Sequence, residues 1–224
     1  MTNHPNDEAP RRPRNPRGEG NRLRDDILDA AATVLREESE AAITLRALAR
    51  HIGVSAPSIY RHFTDRHAIM QELAENAFAD FGELLRGTDS TDSAADTGRA
   101  DPVEHLRGVC ARYLRFAAEE PHHYRLMFGG VWNASQALQT RTDPEDLARL
   151  RRLGLDTLQV LVDAVDACVR AGASRSTDTS RDATALWVAL HGLAELRHTT
   201  PLFHWPDQLE DDLVDRLARL QTDE

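Results

Sequence analysis

The chain of 224 residues contains 41% hydrophobic residues and has a formal net charge of −10. This length allows one or two domains with an apolar core. No stretch approaches the roughly 18 apolar residues of a membrane helix, and no apolar signal region opens the chain, so we expect a cytoplasmic protein with no membrane partner. Cys110 and Cys168 both lie in helical patterns, which favours two buried thiols over a disulfide or a redox sensor.

The N-terminal part of the chain is less acidic than the rest. Residues 1–67 hold 11 Arg and 10 acidic residues, a net +1, whereas the remainder holds 16 Arg and 27 acidic residues, a net −11. Residues 1–21 are rich in Arg, Pro and Asn, cannot pack a core, and are predicted to form a disordered arm. The arm is either a solvent-facing tail or, next to a DNA-binding motif, a segment that lays Arg into the minor groove.

Three helices are predicted in the part that follows. Residues 22–38 repeat apolar side chains on one helical face. Residues 44–63 then read as two helices joined by a tight turn. Gly53 ends the first of these two helices because it adopts a left-handed conformation without a Cβ clash. Ser55 is a suitable N-cap for the second, and Pro57 fits its first turn.

The last of these three helices is predicted to contact DNA. It buries Ile59 and Phe63, so the polar and basic side chains near its N-terminal end point outward. Hydroxyl, guanidinium and imidazole groups at such an end suit phosphate oxygens and base edges in a major groove. The spacing therefore predicts a helix-turn-helix, and the alternative is a helical hairpin in an all-α enzyme.

At these residues the chain resembles the TetR family of bacterial transcriptional regulators. The resemblance extends over residues 22–85 and rests on Thr44, Gly53, Val54, Ser55, Tyr60, His62, Phe63 and Arg66. It implies an all-α fold, with an N-terminal three-helix helix-turn-helix domain over residues 22–67 and a C-terminal helical effector-binding and dimerisation domain over residues 68–224. Two departures are present: residues 39–43 lack a glycine that many members carry, and Arg66 stands where lysine is usual.

The resemblance also implies how DNA is bound. Phosphates would be held by Thr44, Tyr60, His62 and Arg66, and bases would be faced by Arg46, Ala56, Pro57, Ser58 and Arg61, with Ser55 completing the DNA-binding set at the turn. Arg66 keeps the positive charge of lysine in a planar fork, so we expect its phosphate contact to survive with altered geometry. Members of the family pair through their last helices, which implies a homodimer on palindromic double-stranded operator DNA. Repression relieved by a small-molecule effector is the usual mode.

More helices and no sheet are predicted downstream. Residues 87–101, rich in Thr, Asp, Ser and Gly, predict a mobile loop. Helices are predicted over residues 103–119, 144–171, 180–198 and 207–221, with a short apolar turn at 124–128. The leucines of the last two helices could be buried within one chain or between two chains, and the resemblance favours two.

The C-terminal half also resembles one TetR subgroup, whose C-terminal domain has a Trp-His-Gly signature, here Trp187, His191 and Gly192. One interpretation places these residues in an apolar pocket for a flat or greasy small-molecule effector. The predicted lining is Tyr113, Phe116, Tyr124, Met127, Phe128, Trp132, Trp187 and His191. The alternative is ordinary core packing in which His191 has a buried partner. For the set as a whole we favour the pocket.

Other functions receive less support. His191, Glu195 and His198 have a spacing that can bind zinc, but one helix supplies three ligands at most, so we predict surface residues here and neither metal nor cofactor. The sequence has no Gly-rich phosphate loop, nucleophile elbow or Cys-x-x-Cys motif, so we predict no enzyme and no catalytic residue. The rivals to a repressor are an activator and an all-α ligand- or partner-binding protein without operator function.

Overall fold

The computed structural model describes residues 20–87, 101–129, 143–145, 148, 152 and 154–221. Its named helices are α1 (Gly20–Glu37), a short 3-10 turn (Glu40–Ala42), α2 (Leu45–Ile52), α3 (Ala56–Tyr60), α4 (Arg66–Arg86), α5 (Pro102–Glu119), α6 (Pro121–Phe128), α7 (Leu155–Arg170), α8 (Thr179–Thr199) and α9 (Leu209–Leu217). This described part contains no strand, and the all-α prediction is confirmed. Nearly all of the predicted arm, most of the predicted loop at 87–101, and Trp132 lie outside the described residues.

The chain divides into two compact units, and the division falls between Leu73 and Ala74, inside α4. The boundary predicted after residue 67 lies at the beginning of the same helix. The first turns of α4 belong to the first unit, where Ile69 and Met70 are buried. A helix that runs through a domain division leaves no break in composition for the sequence to reveal.

The first unit has a small core of aliphatic side chains. Helix α2 packs against both α1 and α3. Ile27, Ile43, Leu48 and Ile59 have no exposed surface. Burial of each such side chain contributes about 1.5–3 kcal/mol. Because α3 has only five residues, its position depends on Ile59 and on this core rather than on its own helical stability.

A cation over an aromatic ring adds a second anchor in the first unit. The Arg24 guanidinium lies 4.7 Å from the centroid of the Phe63 ring and also forms an ion pair with Glu72. Arginine stacks well on an aromatic face because its planar group is weakly hydrated. These contacts tie α1 to the end of the helix-turn-helix and to α4.

The second unit is a helical bundle with one continuous core. Helix α7 packs against α5 and α8, and α9 packs against the same two helices. Leu106, Val165, Leu186 and Leu190 are fully buried in this core. Arg107 of α5 donates to carboxylates of α9, those of Asp211 and Asp215, at 2.7 Å each, and so fixes the last helix to the bundle.

A buried carboxylate holds the end of the chain against the bundle. Asp182 accepts a hydrogen bond from the Ser176 hydroxyl at 2.7 Å and forms an ion pair with Arg219 at 3.0 Å. Arg219 has φ 53°, a left-handed backbone that non-glycine residues rarely adopt. Next to it, Leu220 forms an isolated antiparallel bridge with Ser174. The segment after α9 is therefore fixed by named contacts.

Three predicted elements differ from the structure. The long helix predicted over 144–171 is wrong, because Gly154 has φ 83° and this left-handed residue precedes a separate helix, α7. The turn predicted at 124–128 is part of α6, which begins at Pro121, where the missing N–H costs nothing. The last helix is shorter than predicted, beginning at Leu209 rather than residue 207.

None of the described helices is long and apolar enough to cross a membrane.

Candidate functional site

Thr44 defines the beginning of α2, the first helix of the helix-turn-helix. Its backbone is extended, and its Oγ1 accepts a hydrogen bond from Ala47 N at 3.1 Å, which makes it the N-cap of α2. Gly53 ends α2 in a left-handed conformation with φ 71°, as predicted. The Val54 N–H then bonds to Ala49 O at 2.9 Å, closing the turn. The chain thus leaves α2 in one defined direction toward α3.

The N-terminal end of α3 is built differently from the sequence expectation. Ser55 stands at the N-cap position, but its hydroxyl makes no capping bond. It pairs instead with the Ser58 hydroxyl at 2.8 Å. Pro57 lies in the first turn, as predicted. The backbone N–H groups of this turn therefore have no hydroxyl cap from Ser55.

The predicted DNA-binding side chains lie within one short stretch of the first unit, and most of them face solvent. Exposed members are Thr44, Arg46, Ser55, Pro57, Tyr60 and Arg61, and partly buried members are Ala56, Ser58, His62 and Arg66. Tyr60 is 55% exposed although its neighbour Ile59 is fully buried. Hydroxyl, phenol and guanidinium donors exposed at the beginning of α2 and along α3 can bind phosphate oxygens and base edges.

Arg66 differs from the other members of the set. Its Nε donates to Ile43 O at 3.0 Å and its Nη2 donates to Glu40 O at 2.7 Å. These two atoms form one edge of the guanidinium, and that edge is used by the protein's own backbone.

A cluster of aromatic rings lies in the second unit, and it brings together members of the predicted effector pocket. The Phe128 ring lies 5.0 Å from Tyr124, 5.2 Å from His191 and 6.4 Å from Trp187, centroid to centroid. Phe116 belongs to the same neighbourhood through Phe81, at 4.7 Å. Met127 is buried in the surrounding core, whereas the predicted Trp132 lies outside the described residues.

Polar atoms run through this cluster as a chain of hydrogen bonds. The Tyr113 and Tyr124 hydroxyls are 2.9 Å apart, and the Tyr124 hydroxyl lies 2.6 Å from His191 Nδ1. Each hydroxyl has a partner if Tyr113 donates to Tyr124 and Tyr124 donates to His191. His191 thus has the buried partner that the core-packing alternative requires.

The two phenols of this chain are held in their neutral form. Burial raises the pKa of Tyr113 to about 12, although the neighbouring Tyr124 hydroxyl and Trp187 indole act in the opposite direction. Burial and the neighbouring Tyr113 also raise the pKa of Tyr124. Taking a charged phenolate out of water is unfavourable, which is the physical cause in both cases. At neutral pH both phenols are therefore uncharged and can act as hydrogen-bond donors and acceptors.

Two cavities lined by residues that the structure describes border the cluster, and they differ greatly in size. The smaller has a volume of about 20 Å³ and is lined by Phe81, Leu85, Val109, Tyr113, Thr157, Leu158, Leu161, Trp187 and Leu190. The larger, which we call the α4 cleft, has a volume of about 650 Å³ and is lined by Glu75, Phe78, Ala79, Gly82, Glu83, Arg86, Arg152, Gly154, Asp156 and Thr157. Thr157 lines both cavities. Only the α4 cleft lies within the range of roughly 300–1,000 Å³ that suits small molecules.

The α4 cleft was not predicted from the sequence. A signal was present, because Glu75, Ala79, Gly82 and Arg86 fall on one helical face and interrupt the apolar pattern expected of a fully packed helix. The opposite wall begins at Gly154, and nothing in the sequence placed this residue against Phe78. No group of three or more His, Cys, Asp or Glu residues that could hold a metal ion occurs in the part of the chain that the structure describes.

The fold and the exposed motif define a class of all-α protein with an N-terminal helix-turn-helix. Residues 27–73 match the family model described as bacterial regulatory proteins, tetR family, and residues 106–220 match the one described as tetracyclin repressor-like, C-terminal domain. The chain belongs to the TetR family.

Similar proteins agree with this assignment. The chain is 31% identical over 110 residues to the HTH-type transcriptional repressor KstR2 of Mycobacterium tuberculosis, covering 49% of this chain and 50% of that one. It is 33% identical over 107 residues to the nucleoid occlusion factor SlmA of Vibrio vulnificus, covering 47% and 51%. The matches span about half the length of these curated relatives. A solved structure of a protein of unknown function from Rhodococcus sp. RHA1 is similar with a TM-score of 0.68 at 25% identity, covering 88% of this chain and 94% of that one.

Proposed function

We propose that this chain is a homodimeric repressor that binds operator DNA through α2 and α3 and is released by a small-molecule effector. The observation that carries the DNA-binding part is the exposure of Tyr60, whose side chain extends into solvent directly beside the buried anchor Ile59. An exposed phenol fixed at its base can donate to a phosphate oxygen with little loss of conformational freedom. The family assignment supports the same function.

The other exposed groups divide by their chemistry. The Thr44 Oγ1 already accepts a hydrogen bond from Ala47 N, so its own hydrogen can be donated to a phosphate. Arg46 and Arg61 carry the planar forks that pair with guanine in the major groove. Ala56 and Pro57 offer apolar surface to a thymine methyl group. Loss of one arginine–guanine pair costs about 1–3 kcal/mol of discrimination against the wrong base.

DNA binding is tested by fluorescence anisotropy with duplexes from the DNA that flanks the protein's own gene. Excess nonspecific competitor and two salt concentrations separate specific from electrostatic binding. We expect saturable binding that resists competitor and is lost in Arg46→Ala. Arg36→Ala is the matched control, because Arg36 lies exposed at the end of α1, outside the motif. The proposal would be contradicted if competitor abolished binding to every flanking duplex and also to duplexes that the protein selects from a random-sequence library.

The proposed dimer surface is the outer face of α8. Val188 and Leu196 are 58% and 49% exposed, and both lie on the same helical face as Gly192. A Cβ placed on Gly192 would meet nothing within 4 Å, so the backbone is open to close approach by another helix. An apolar face with a glycine at its centre favours a second copy of the same helix across a twofold axis. This pairing would match a palindromic operator.

The dimer is tested by light scattering on purified protein. Val188→Asp and Leu196→Asp each place a charge in the proposed interface and should shift the protein toward monomer. Leu202→Asp is the control, because Leu202 is 98% exposed but lies beyond the end of α8. If all three variants retain the mass of the wild-type protein, this face is not the interface.

The effector is proposed to enter the α4 cleft and to reach the aromatic cluster past Thr157, the residue common to both cavities. The small cavity alone has no room for a drug-sized molecule. Arg86 and Arg152 supply cationic groups at the cleft wall, and Phe78 leads from the cleft to Phe128, with ring centroids 5.4 Å apart. Because Glu75, Glu83 and Asp156 line the same cleft, this arrangement fits an elongated apolar molecule with one polar end.

The cleft is tested by filling it. Ala79→Trp places a large ring in the cleft from an exposed position of α4, whereas Asp80→Trp makes a comparable change at an exposed position outside the cleft lining. A panel of amphiphilic carboxylic acids and flat aromatic compounds is screened for release of bound DNA. We expect any active compound to lose its effect in Ala79→Trp and to keep it in Asp80→Trp. Equal activity on both variants would place the effector elsewhere.

The proposed release mechanism is a shift between two arrangements of the dimer. A ligand that binds the DNA-incompatible arrangement better must lower DNA affinity, and DNA must lower ligand affinity by the same factor. Helix α4 is the proposed carrier, because the cleft residues from Glu75 to Arg86 and the residue Arg66 belong to this one helix. Equal ligand affinity of the free and DNA-bound protein would contradict this coupling.

A further inference from the structure

Arg66 reaches back over more than twenty positions of sequence to the turn that precedes α2. Its Nε bonds to Ile43 O at 3.0 Å and its Nη2 to Glu40 O at 2.7 Å. Arg grips a phosphate with two parallel N–H groups of one edge. Here the Nε–Nη2 edge is used by two backbone carbonyls, so it is not available to a phosphate.

The turn that Arg66 contacts has little support of its own. It has three residues, and its local hydrogen bonds, Ala42 N to Ser39 O and Ile43 N to Glu40 O, are both 3.2 Å long. Ile43 is fully buried, and its carbonyl needs a donor. A buried carbonyl without a partner is unfavourable, so the Arg66 guanidinium stabilises this backbone conformation.

The turn ends directly before the DNA-binding surface. Ile43 is followed by Thr44, the N-cap of α2 and a proposed phosphate contact. A displacement of the Ile43 carbonyl therefore moves the Thr44 hydroxyl and the first turn of α2 with it. Hydrogen bonds depend steeply on distance and angle, so such a displacement weakens a phosphate contact without removing any group from it.

We propose that Arg66 is a positioning residue for DNA binding, which holds the turn at residues 40–43 so that Thr44 meets the phosphate backbone. The proposal rests on the proposed DNA-binding function and replaces a direct phosphate contact by Arg66. The two roles differ in what they tolerate. A phosphate contact needs a positive charge, which lysine also supplies, whereas bridging two carbonyls needs the planar fork that lysine lacks.

The test compares Arg66→Lys and Arg66→Gln with the wild-type protein. The control is Arg36→Lys, the same chemical change at an exposed site of α1. Each protein is titrated by anisotropy against one duplex that the wild-type protein has selected from a random-sequence library, at several salt concentrations. Thermal unfolding confirms that each variant is folded. Hydrogen exchange of the Ala42 and Ile43 amides reports on the turn without any DNA.

If Arg66 is a positioning residue, Arg66→Lys loses affinity about as strongly as Arg66→Gln, by about 10- to 100-fold if the worth of one charged hydrogen bond is lost. The salt dependence of Arg66→Lys stays that of the wild-type protein, and its Ala42 and Ile43 amides exchange faster. The control changes none of these.

A direct phosphate contact by Arg66 would give a different set of results. A direct phosphate contact predicts that Arg66→Lys binds like the wild-type protein. It also predicts that Arg66→Gln lowers the slope of log affinity against log salt concentration by about 0.9, the value for one phosphate that is no longer neutralised. This pair of results would show that the proposal is wrong. If the wild-type protein selects no DNA, the proposed function fails on its own. Hydrogen exchange then still decides whether Arg66 anchors the turn: unchanged exchange in Arg66→Lys overturns the anchoring.

Discussion

Removal of one hydroxyl from the aromatic cluster gives the sharpest test of how the second unit is built. Tyr124→Phe keeps the ring and deletes an atom that bonds both to the Tyr113 hydroxyl at 2.9 Å and to His191 Nδ1 at 2.6 Å. Tyr124 is 3% exposed, so water cannot replace the lost group in place.

The expected magnitude follows from what each partner loses. Tyr113 is buried and is left with an unsatisfied hydroxyl, whereas His191 is only half-buried and can turn toward solvent. One fully buried loss costs about 1–3 kcal/mol of unfolding free energy. For a unit of this size each kcal/mol lowers Tm by about 2–4 °C, so we expect a decrease of about 2–12 °C.

The assay is calorimetric unfolding, with Tyr60→Phe as the matched control. Tyr60 is 55% exposed, so the same chemical change there should leave Tm unchanged. The effect on DNA is reversed: Tyr60→Phe should weaken binding to all duplex sequences alike, and Tyr124→Phe should leave the affinity of the folded protein unchanged. A Tyr124→Phe protein with the Tm of the wild type would refute the buried hydrogen-bond chain.

Three further predictions follow from burial and backbone geometry. The free energy of unfolding should decrease between about pH 10 and 12. Tyr113 has a folded-state pKa of about 12 and a tyrosine of the unfolded chain ionises near 10, so the contribution of Tyr113 is complete below about pH 10 and is lost above it. Tyr113→Phe should make alkaline unfolding, monitored by circular dichroism, less steep. Burial raises the pKa of Cys110 to about 12 and of Cys168 to about 11, so both thiols should resist iodoacetamide at about pH 8 in the folded protein and react after unfolding, and rapid native labelling of either would contradict their burial. Gly154→Ala should destabilise more than Gly172→Ala in urea, because both have positive φ but only the first Cβ would meet the Phe78 ring, at 3.2 Å; the strain alone costs about 1–2 kcal/mol, and equal losses would show that Phe78 moves aside.

The helix-turn-helix could be predicted almost entirely from local sequence. Gly53 in the left-handed conformation, Pro57 in the first turn of α3, and the burial of Ile59 all agree with the prediction. Each depends on a steric or hydrophobic preference that acts within a few residues. The position of Arg66 could not be found in this way, because its partners lie on a turn that is near in space and distant in sequence.

The second unit shows where local patterns cease to be informative. The leucine stripe of α8 predicted a buried face but left open whether one chain or two would bury it. Within the chain, Leu186, Leu190 and Leu193 are buried, whereas Leu196 remains 49% exposed. The leucine stripe is therefore divided between a buried face and an exposed face of α8. Neighbouring helices cover only one side of α8, so the direction of each side chain, and not its spacing alone, decides whether it is buried.

The sequence by itself determined the all-α class, the helix-turn-helix and the family, because helical periodicity, glycine and proline geometry and a compact motif are properties of short stretches of chain. Only the tertiary structure decided that Tyr124 joins Tyr113 to His191, that Gly154 interrupts a predicted helix beside Phe78, and that α4 borders a cleft. Hydrogen-bond partners and empty volume depend on which segments meet after packing. That choice is made by the whole chain as it buries its apolar surface.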